Sequence, residues 1–195
     1  AWFADLRGRE GMATRALEFL ALTAARSGEV RGATWDELDL EAGLWIIPAE
    51  RMKARKEHRV PLTAEAVALL KALPRMQGSD YVFPAARGGM LSDMALSAAM
   101  RRIHEAREGG YLDPRSGRPA VPHGLRSTFR DWTAERTDYE RDMAEIALAH
   151  TVGSTVERAY RRSDMIEKRR AMMAAWARFL KGETGATVVQ LEAAR

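Results

Sequence analysis

Apolar positions recur with helical spacing along most of this chain, and with strand spacing in one stretch only. Leu17, Leu20, Ala21 and Ala24 fall on one face of a helix predicted over 12–25, capped by Thr14. Gly28, in Arg26-Ser27-Gly28-Glu29, is the expected terminator, which leaves Arg26 at the end of a buried helix. Thr34 caps a short helix over 34–38. The period then changes. Leu38-Asp39-Leu40, a turn at Glu41-Ala42-Gly43, and Leu44-Trp45-Ile46-Ile47-Pro48 read as a hairpin. Arg59-Val60-Pro61-Leu62 adds a third strand, with Pro61 suited to an edge or a strand end. The linker before it, residues 51–59, is strongly basic.

Helical spacing resumes at Thr63, which caps a helix carrying Ala66, Val67, Leu69 and Leu70 and stopped by Pro74. After a turn at 77–80, an extended segment at 81–84 and a glycine-containing loop, Ser92 caps a helix over 93–107. Met94, Leu96, Ala99, Met100 and Ile103 point inward from it, and Arg101, Arg102 and Arg107 outward. Residues 111–121 form an exposed loop. The next helix begins at His123 and runs to about Arg136, with Leu125, Phe129 and Trp132 as its apolar stripe and Arg126 and Arg130 pointing elsewhere. His123 and Arg126 share a face near a helix N-terminus, where anions bind. Asp138 caps a helix over 139–148, and His150 follows directly. Ser154 caps a short helix ending at Tyr160, and Asp164 caps a last helix with Met165, Met172, Met173, Trp176, Phe179 and Leu180 on its packing face. The expected class is α+β, mainly helical, with a small three-stranded antiparallel sheet near residues 38–62. Residues 1–181 form one domain, and 182–195 are a tail that is disordered, packs in cis or packs in trans through Val188-Val189-Gln190-Leu191.

Composition narrows the chemistry. At 195 residues and 46% hydrophobic content the chain can bury a core. It has no cysteine, which excludes disulfides, thiolate catalysis and zinc-thiolate sites and suits a cytoplasmic location. No apolar run approaches the roughly 18 residues that cross a bilayer, so no membrane is expected as a partner. There is no glycine-rich loop ending in Lys-Ser/Thr, no dinucleotide fingerprint, and no Gly-x-Ser-x-Gly elbow. The four histidines, His58, His104, His123 and His150, lack metal-ligand spacing, and no tight acidic cluster suggests two-metal chemistry. No metal and no cofactor is expected. A net charge of +4, with arginine well in excess of lysine, is compatible with a nucleic-acid partner. The chain begins at Ala1, as a domain excised from a longer protein would.

What remains is Arg, Lys, His and Tyr. Arg26-Ser27-Gly28-Glu29, the lysine loop at Lys53, His123-Gly124-Leu125-Arg126, Leu148-Ala149-His150 and Tyr160 occur in that order. Order, spacing and predicted elements together resemble the catalytic domain of tyrosine recombinases, the phage integrase family, over about residues 10–180. Glu157-Arg158-Ala159-Tyr160-Arg161-Arg162 followed by a helix reaching Trp176 resembles the integrases of prophages and genomic islands. Ala149 departs from the pattern, because many members have glycine before the histidine.

The resemblance implies that Tyr160 attacks a DNA phosphate and becomes a 3′-phosphotyrosine. Arg26 and Arg126 would clamp the nonbridging oxygens, and His123 and His150 would add hydrogen bonds. Lys53 would protonate the departing 5′ oxygen, with Lys56 in the same loop as the alternative. Glu29 would orient Arg26 or a histidine. Arg55, Lys56, Arg101, Arg102 and Arg130 are the candidate contacts to the DNA backbone. The implied partners are double-stranded DNA attachment sites, further copies of the full-length protein in a tetramer on that DNA, and host DNA-bending and excision factors, the isolated domain being monomeric. A type IB topoisomerase with similar chemistry and a DNA-binding module without cleavage activity are the competing readings.

Overall fold

A computed structural model of the chain describes residues 1–114, 116–153 and 163–183. Its helices are α1 (Trp2–Arg7), α2 (Met12–Thr23), α3 (Ser27–Arg31), α4 (Ala64–Ala72), α5 (Ala95–Glu105), α6 (Gly124–Arg136), α7 (Arg141–Ala147) and α8 (Ile166–Lys181). A sheet of β1 (Leu38–Asp39), β2 (Leu44–Ile47) and β3 (His58–Pro61) interrupts them, in the antiparallel order β1-β2-β3. Register pairs Leu38 with Trp45 and Trp45 with Val60, so Trp45 is buried at the centre of the sheet. Single-turn 3-10 helices at Trp35–Glu37 and Ala49–Arg51 flank the hairpin.

Helix α2 is the hub. It is apolar nearly all round, and a helix with no polar face must be enclosed. Leu17, Phe19, Leu20, Ala21 and Leu22 are each at most 1% exposed. Phe19 meets Trp45 of the sheet with ring centroids 5.2 Å apart and Phe83 at 5.5 Å. A second apolar cluster joins α6, α7 and α8 through Phe129, Trp132, Met143, Met172 and Trp176. Phe129 and Trp176 meet edge-on at 5.3 Å, an arrangement favoured by the ring quadrupoles. The Trp176 indole donates to the Ala21 carbonyl at 2.7 Å, fastening the second cluster to the hub. Loss of a tryptophan packed in this way costs roughly 3–5 kcal/mol. The Met and aromatic stripe of α8 is therefore packing, as its spacing suggested.

Several local expectations are corrected. The chain does not end a helix at Arg26. Helix α2 stops at Thr23, Ala24 takes a left-handed conformation (φ 51°), and Arg26 is the N-cap of the new helix α3. Glu29 closes that start, its carboxylate accepting the Arg26 backbone N–H at 2.8 Å. Gly28 thus lies inside a helix rather than ending one. Thr14 does not cap α2 either, because the N-cap is Gly11 and the Thr14 hydroxyl donates to the Glu10 carbonyl. Met94 is 59% exposed, since α5 begins only at Ala95. Helix α7 starts at Arg141 with Glu140 at its N-cap, leaving Asp138 outside. Helix α1 has no counterpart in the pattern reading; the phenol of Tyr111 ties it to the loop after α5 by donating to Asp5 at 2.5 Å. The Thr63 cap is present, its hydroxyl accepting from the Ala66 N–H at 3.3 Å. The expected helix ending at Tyr160 and most of the tail lie outside the described residues.

Candidate functional site

Two arginines from distant parts of the chain converge on the end of α7. Arg126, in the first turn of α6, is buried (5% exposed), contrary to the expectation that it points away from the packed face. One terminal nitrogen donates to the Ala24 carbonyl at 2.5 Å and the other to the Leu148 carbonyl at 2.7 Å. The second nitrogen also lies 3.3 Å from Nε2 of His150. Arg26 reaches the same helix end. Its Nη1 donates to Glu29 Oε1 at 2.7 Å, and its Nη2 lies 3.4 Å from both the Leu148 and the Ala149 carbonyl oxygens. The left-handed turn at Ala24 is what aims that carbonyl at Arg126, and the N-cap position of Arg26 is what turns its side chain toward α7.

The end of α7 is built for this meeting. Ala149 is left-handed (φ 51°), and the His150 N–H returns to the Glu145 carbonyl at 2.9 Å while the Ala149 N–H reaches Ile146 at 2.9 Å. This is a Schellman closure with alanine at the position that glycine usually fills. The turn leaves the Leu148 and Ala149 carbonyls free to accept from the arginines. It also folds His150 back beside Glu145, whose Oε2 is 2.6 Å from the ring Nδ1. The other carboxylate oxygen of Glu145 is 2.8 Å from Nε of Arg130. Arg130, expected on the DNA backbone, is thus engaged in an ion pair with half of its side chain exposed.

Electrostatically the centre is short of negative charge. Burial, and next the positive charge of Arg26, lower the pKa of Arg126 to about 10, while Glu29 and Glu145 pull it back up. Among the described residues Arg126 has no carboxylate within ion-pairing distance.

A cleft of about 500 Å³ opens beside His150. Lys56, in the basic loop before β3, and His58, the first residue of β3, form one wall, and the start of α8 forms another with Asp164 and Arg169. His58 was not anticipated as a site residue. Desolvation, with the charge of Arg169 next, holds its imidazole down at about pKa 4, so it is neutral at physiological pH. Arg169 is 1% exposed and donates to the Arg59 carbonyl at 2.7 Å. Its Nε is buried without a partner, and burial lowers its pKa to about 10. Arg59 in turn pairs with Asp164 at 3.3 Å, so β3 and the start of α8 are tied together beside the cleft.

The remaining residues are more dispersed. His123 is the exposed N-cap of α6, and its imidazole has no hydrogen-bond partner among the described residues. Lys53 is exposed on the loop after the Ala49–Arg51 turn and does not line the cleft, whereas Lys56 does. That turn is held near Arg26, because Arg51 bonds both the Glu37 carboxylate and the Glu29 carbonyl. Arg55 sits in the same loop with φ 52° and is exposed. Arg101 and Arg102 are exposed on α5, which contributes no residue to the cleft. Tyr160 lies outside the described residues, between the described ends Gly153 and Ser163. Among the described residues no three His, Asp or Glu side chains are grouped to hold a metal ion, and no helix is long and apolar enough to cross a membrane. Glu145 and His58 escaped the sequence reading because their partners lie at a helix end or on another element, out of reach of a local motif.

Comparison with known proteins adds the family. The model of the phage integrase family matches residues 9–167. Prophage integrase IntA of Escherichia coli (strain K12) is 37% identical over 91% of this chain and 41% of its own length. The integrase of Enterobacteria phage P4 is 33% identical over 92% of this chain and 42% of its own. The chain therefore spans about two fifths of the length of these relatives. Among solved structures, a lambda integrase dimer bound to a COC′ core site matches with a TM-score of 0.57 at 20% identity, covering 84% of this chain and 56% of that one. The Tn1549 transposon integrase in complex with transposon right-end DNA also gives 0.57, at 15% identity over 90% of this chain and 63% of that one. These two likenesses are of fold. With the family model matched over most of its length and prophage relatives above 30% identity, the chain belongs to the phage integrase family.

Proposed function

We propose that residues 1–181 are the catalytic domain of a site-specific DNA recombinase that cuts and rejoins DNA through a 3′-phosphotyrosine on Tyr160. The observation that carries this reading is the convergence of Arg26 and Arg126 on the carbonyls just before His150. A buried cation with no carboxylate in contact among the described residues is stabilised when an anion enters. A phosphodiester brings one negative charge and its pentacoordinate transition state brings more, so preorganised guanidiniums favour the transition state over the ground state. The prophage integrase relatives and the DNA complexes of the fold neighbours support the choice of DNA as the anion.

In the proposed step the phenolic oxygen of Tyr160 bonds to phosphorus and the bond from phosphorus to the 5′ oxygen breaks. His123, exposed at the start of α6, takes the phenolic proton, and Lys53 gives one to the leaving 5′ oxygen. Arg26 and Arg126 hold the nonbridging oxygens, His150 adds a hydrogen bond, and Glu29 fixes Arg26. Rejoining is the reverse, with a 5′ hydroxyl displacing the tyrosine. Each step exchanges one phosphoester for another, so strand exchange needs no nucleoside triphosphate. The full-length protein acts as a tetramer on paired attachment sites in the cytoplasm, assisted by host DNA-bending and excision factors, while the isolated domain is a monomer.

The test uses the full-length protein and a supercoiled plasmid carrying the DNA that flanks its own coding region. A protein–DNA species that survives denaturation and disappears in Arg126→Ala is expected, together with strand exchange. Supercoil relaxation without strand exchange would point to the topoisomerase reading instead, and binding without any covalent species to a DNA-binding module.

A further inference from the structure

We propose that Glu145 is a positioning residue that sets which nitrogen of His150 faces the anion site and lets that nitrogen become a donor when a phosphate arrives. The phosphate half of this proposal rests on the functional reading above; the histidine half stands on geometry alone.

A carboxylate only accepts hydrogen bonds. With Glu145 Oε2 at 2.6 Å, Nδ1 of His150 must carry the proton. In the neutral ring Nε2 is then a lone pair, and Arg126 Nη2 at 3.3 Å is the donor that faces it. The direction of every bond in the chain is thereby determined. Arg126 donates to His150, His150 donates to Oε2 of Glu145, and Arg130 is ion-paired with the same carboxylate on its Oε1 side. The left-handed Ala149 makes the arrangement possible, because it brings the His150 backbone onto Glu145 as well as the ring. Glu145 is only 14% exposed, so water competes weakly for its oxygens.

This state cannot persist once an anion occupies the site. A phosphate oxygen takes the Arg126 donor, and the lone pair on Nε2 then faces negative charge. The contact becomes attractive when Nε2 takes one proton from solvent, giving an N–H that donates to the phosphate oxygen. The ring is then a cation among cations: Arg126 lies ahead of it, Arg26 lies on the adjoining carbonyls, and Arg130 lies behind Glu145. Among the described residues the Glu145 carboxylate is the negative group in direct contact with the ring, and it balances the added charge. A carboxylate behind a histidine fixes ring orientation and proton position in other settings, and its loss typically lowers activity by about 10–100-fold.

The experiment reads the two His150 ring nitrogens by long-range proton–nitrogen NMR on this chain, with inorganic phosphate as the probe. At a pH where the phosphate-free ring is neutral, its proton should sit on Nδ1, and Glu145→Leu should move that proton toward Nε2. Saturating phosphate at constant pH should protonate both nitrogens in wild type and leave the ring of Glu145→Gln neutral. A wild-type ring protonated on Nε2 without phosphate, or one unchanged by phosphate, overturns the proposal, as does identical behaviour of the Gln variant. In the full-length protein, Glu145→Gln should slow covalent-adduct formation by at least about tenfold with DNA affinity unchanged. If wild type forms no adduct at all the recombinase reading fails, while the ring measurements still decide the role of Glu145.

Discussion

His58 should make the stability of this protein pH-dependent in a way that a single substitution removes. Its imidazole sits at the start of β3, where desolvation, and next the charge of Arg169, lowers its pKa from 6.5 to about 4. Well above pH 6.5 the ring is neutral in both folded and unfolded chains and contributes no pH dependence. As pH falls below that value the unfolded chain takes up a proton that the folded chain refuses, so the folded state loses ground until the pH reaches the folded pKa. Linkage over that window puts the loss between pH 7 and pH 4.5 at about 2 kcal/mol. Carboxylates also titrate there, so the measurement is a difference of differences. Urea unfolding at both pH values is compared between wild type and His58→Asn. Wild type should lose about 2 kcal/mol more than the variant. Equal losses in the two proteins would show that the ring is free to charge, and that the cleft wall beside His150 is wetter than its packing implies.

The remaining predictions probe the same surfaces. Ala149→Gly should raise stability by about 0.5–1 kcal/mol in urea unfolding, because glycine carries no penalty at φ 51°; a loss of that size would mean the left-handed turn is unstrained. Arg169→Met should cost less than about 1.5 kcal/mol, since it removes a buried cation whose Nε has no partner and keeps its volume, whereas Arg169→Ala should cost about 3 kcal/mol or more. Lys53→Ala in the full-length protein should slow cleavage by about 10²–10⁴-fold on ordinary DNA and recover on a substrate with a sulfur leaving group, which needs no acid; recovery by Lys56→Ala instead would move the role to the lysine that lines the cleft. Removing Arg55 and Lys56 together should flatten the salt dependence of DNA binding by a log–log slope of about 2, measured by gel shift at several salt concentrations.

How far the sequence was legible depended on the range of the interactions. The hairpin was readable to within a residue or so because a change of period from helical to alternating is a local signal, and Thr63 was readable because a cap acts on the N–H three residues away. The family constellation was readable as an ordered set of residue types. Arg26 was misplaced because no local rule says that a left-handed alanine at 24 will end α2 early and start α3. The burial of Arg126 was hidden because its acceptors, Ala24 and Leu148, are far away in sequence, and a charged side chain off the apolar stripe is ordinarily exposed. His58 was missed for the same reason, since its character comes from burial and from Arg169, which only the folded chain brings near; Glu145 was missed because its pairing with His150, five residues on, depends on the left-handed turn at Ala149. The substitution of Ala149 for the usual glycine was visible in the sequence, but its left-handed conformation, and hence its energetic meaning, was not.

The most direct test of the central claim is to identify the residue that carries DNA. Full-length protein is incubated with a nicked fragment from the DNA flanking its coding region, denatured, digested with nuclease and protease, and analysed by mass spectrometry. The account predicts a phosphonucleotide on the peptide containing Tyr160, and none in Tyr160→Phe. An adduct on another residue, or an adduct that persists in Tyr160→Phe, would contradict it.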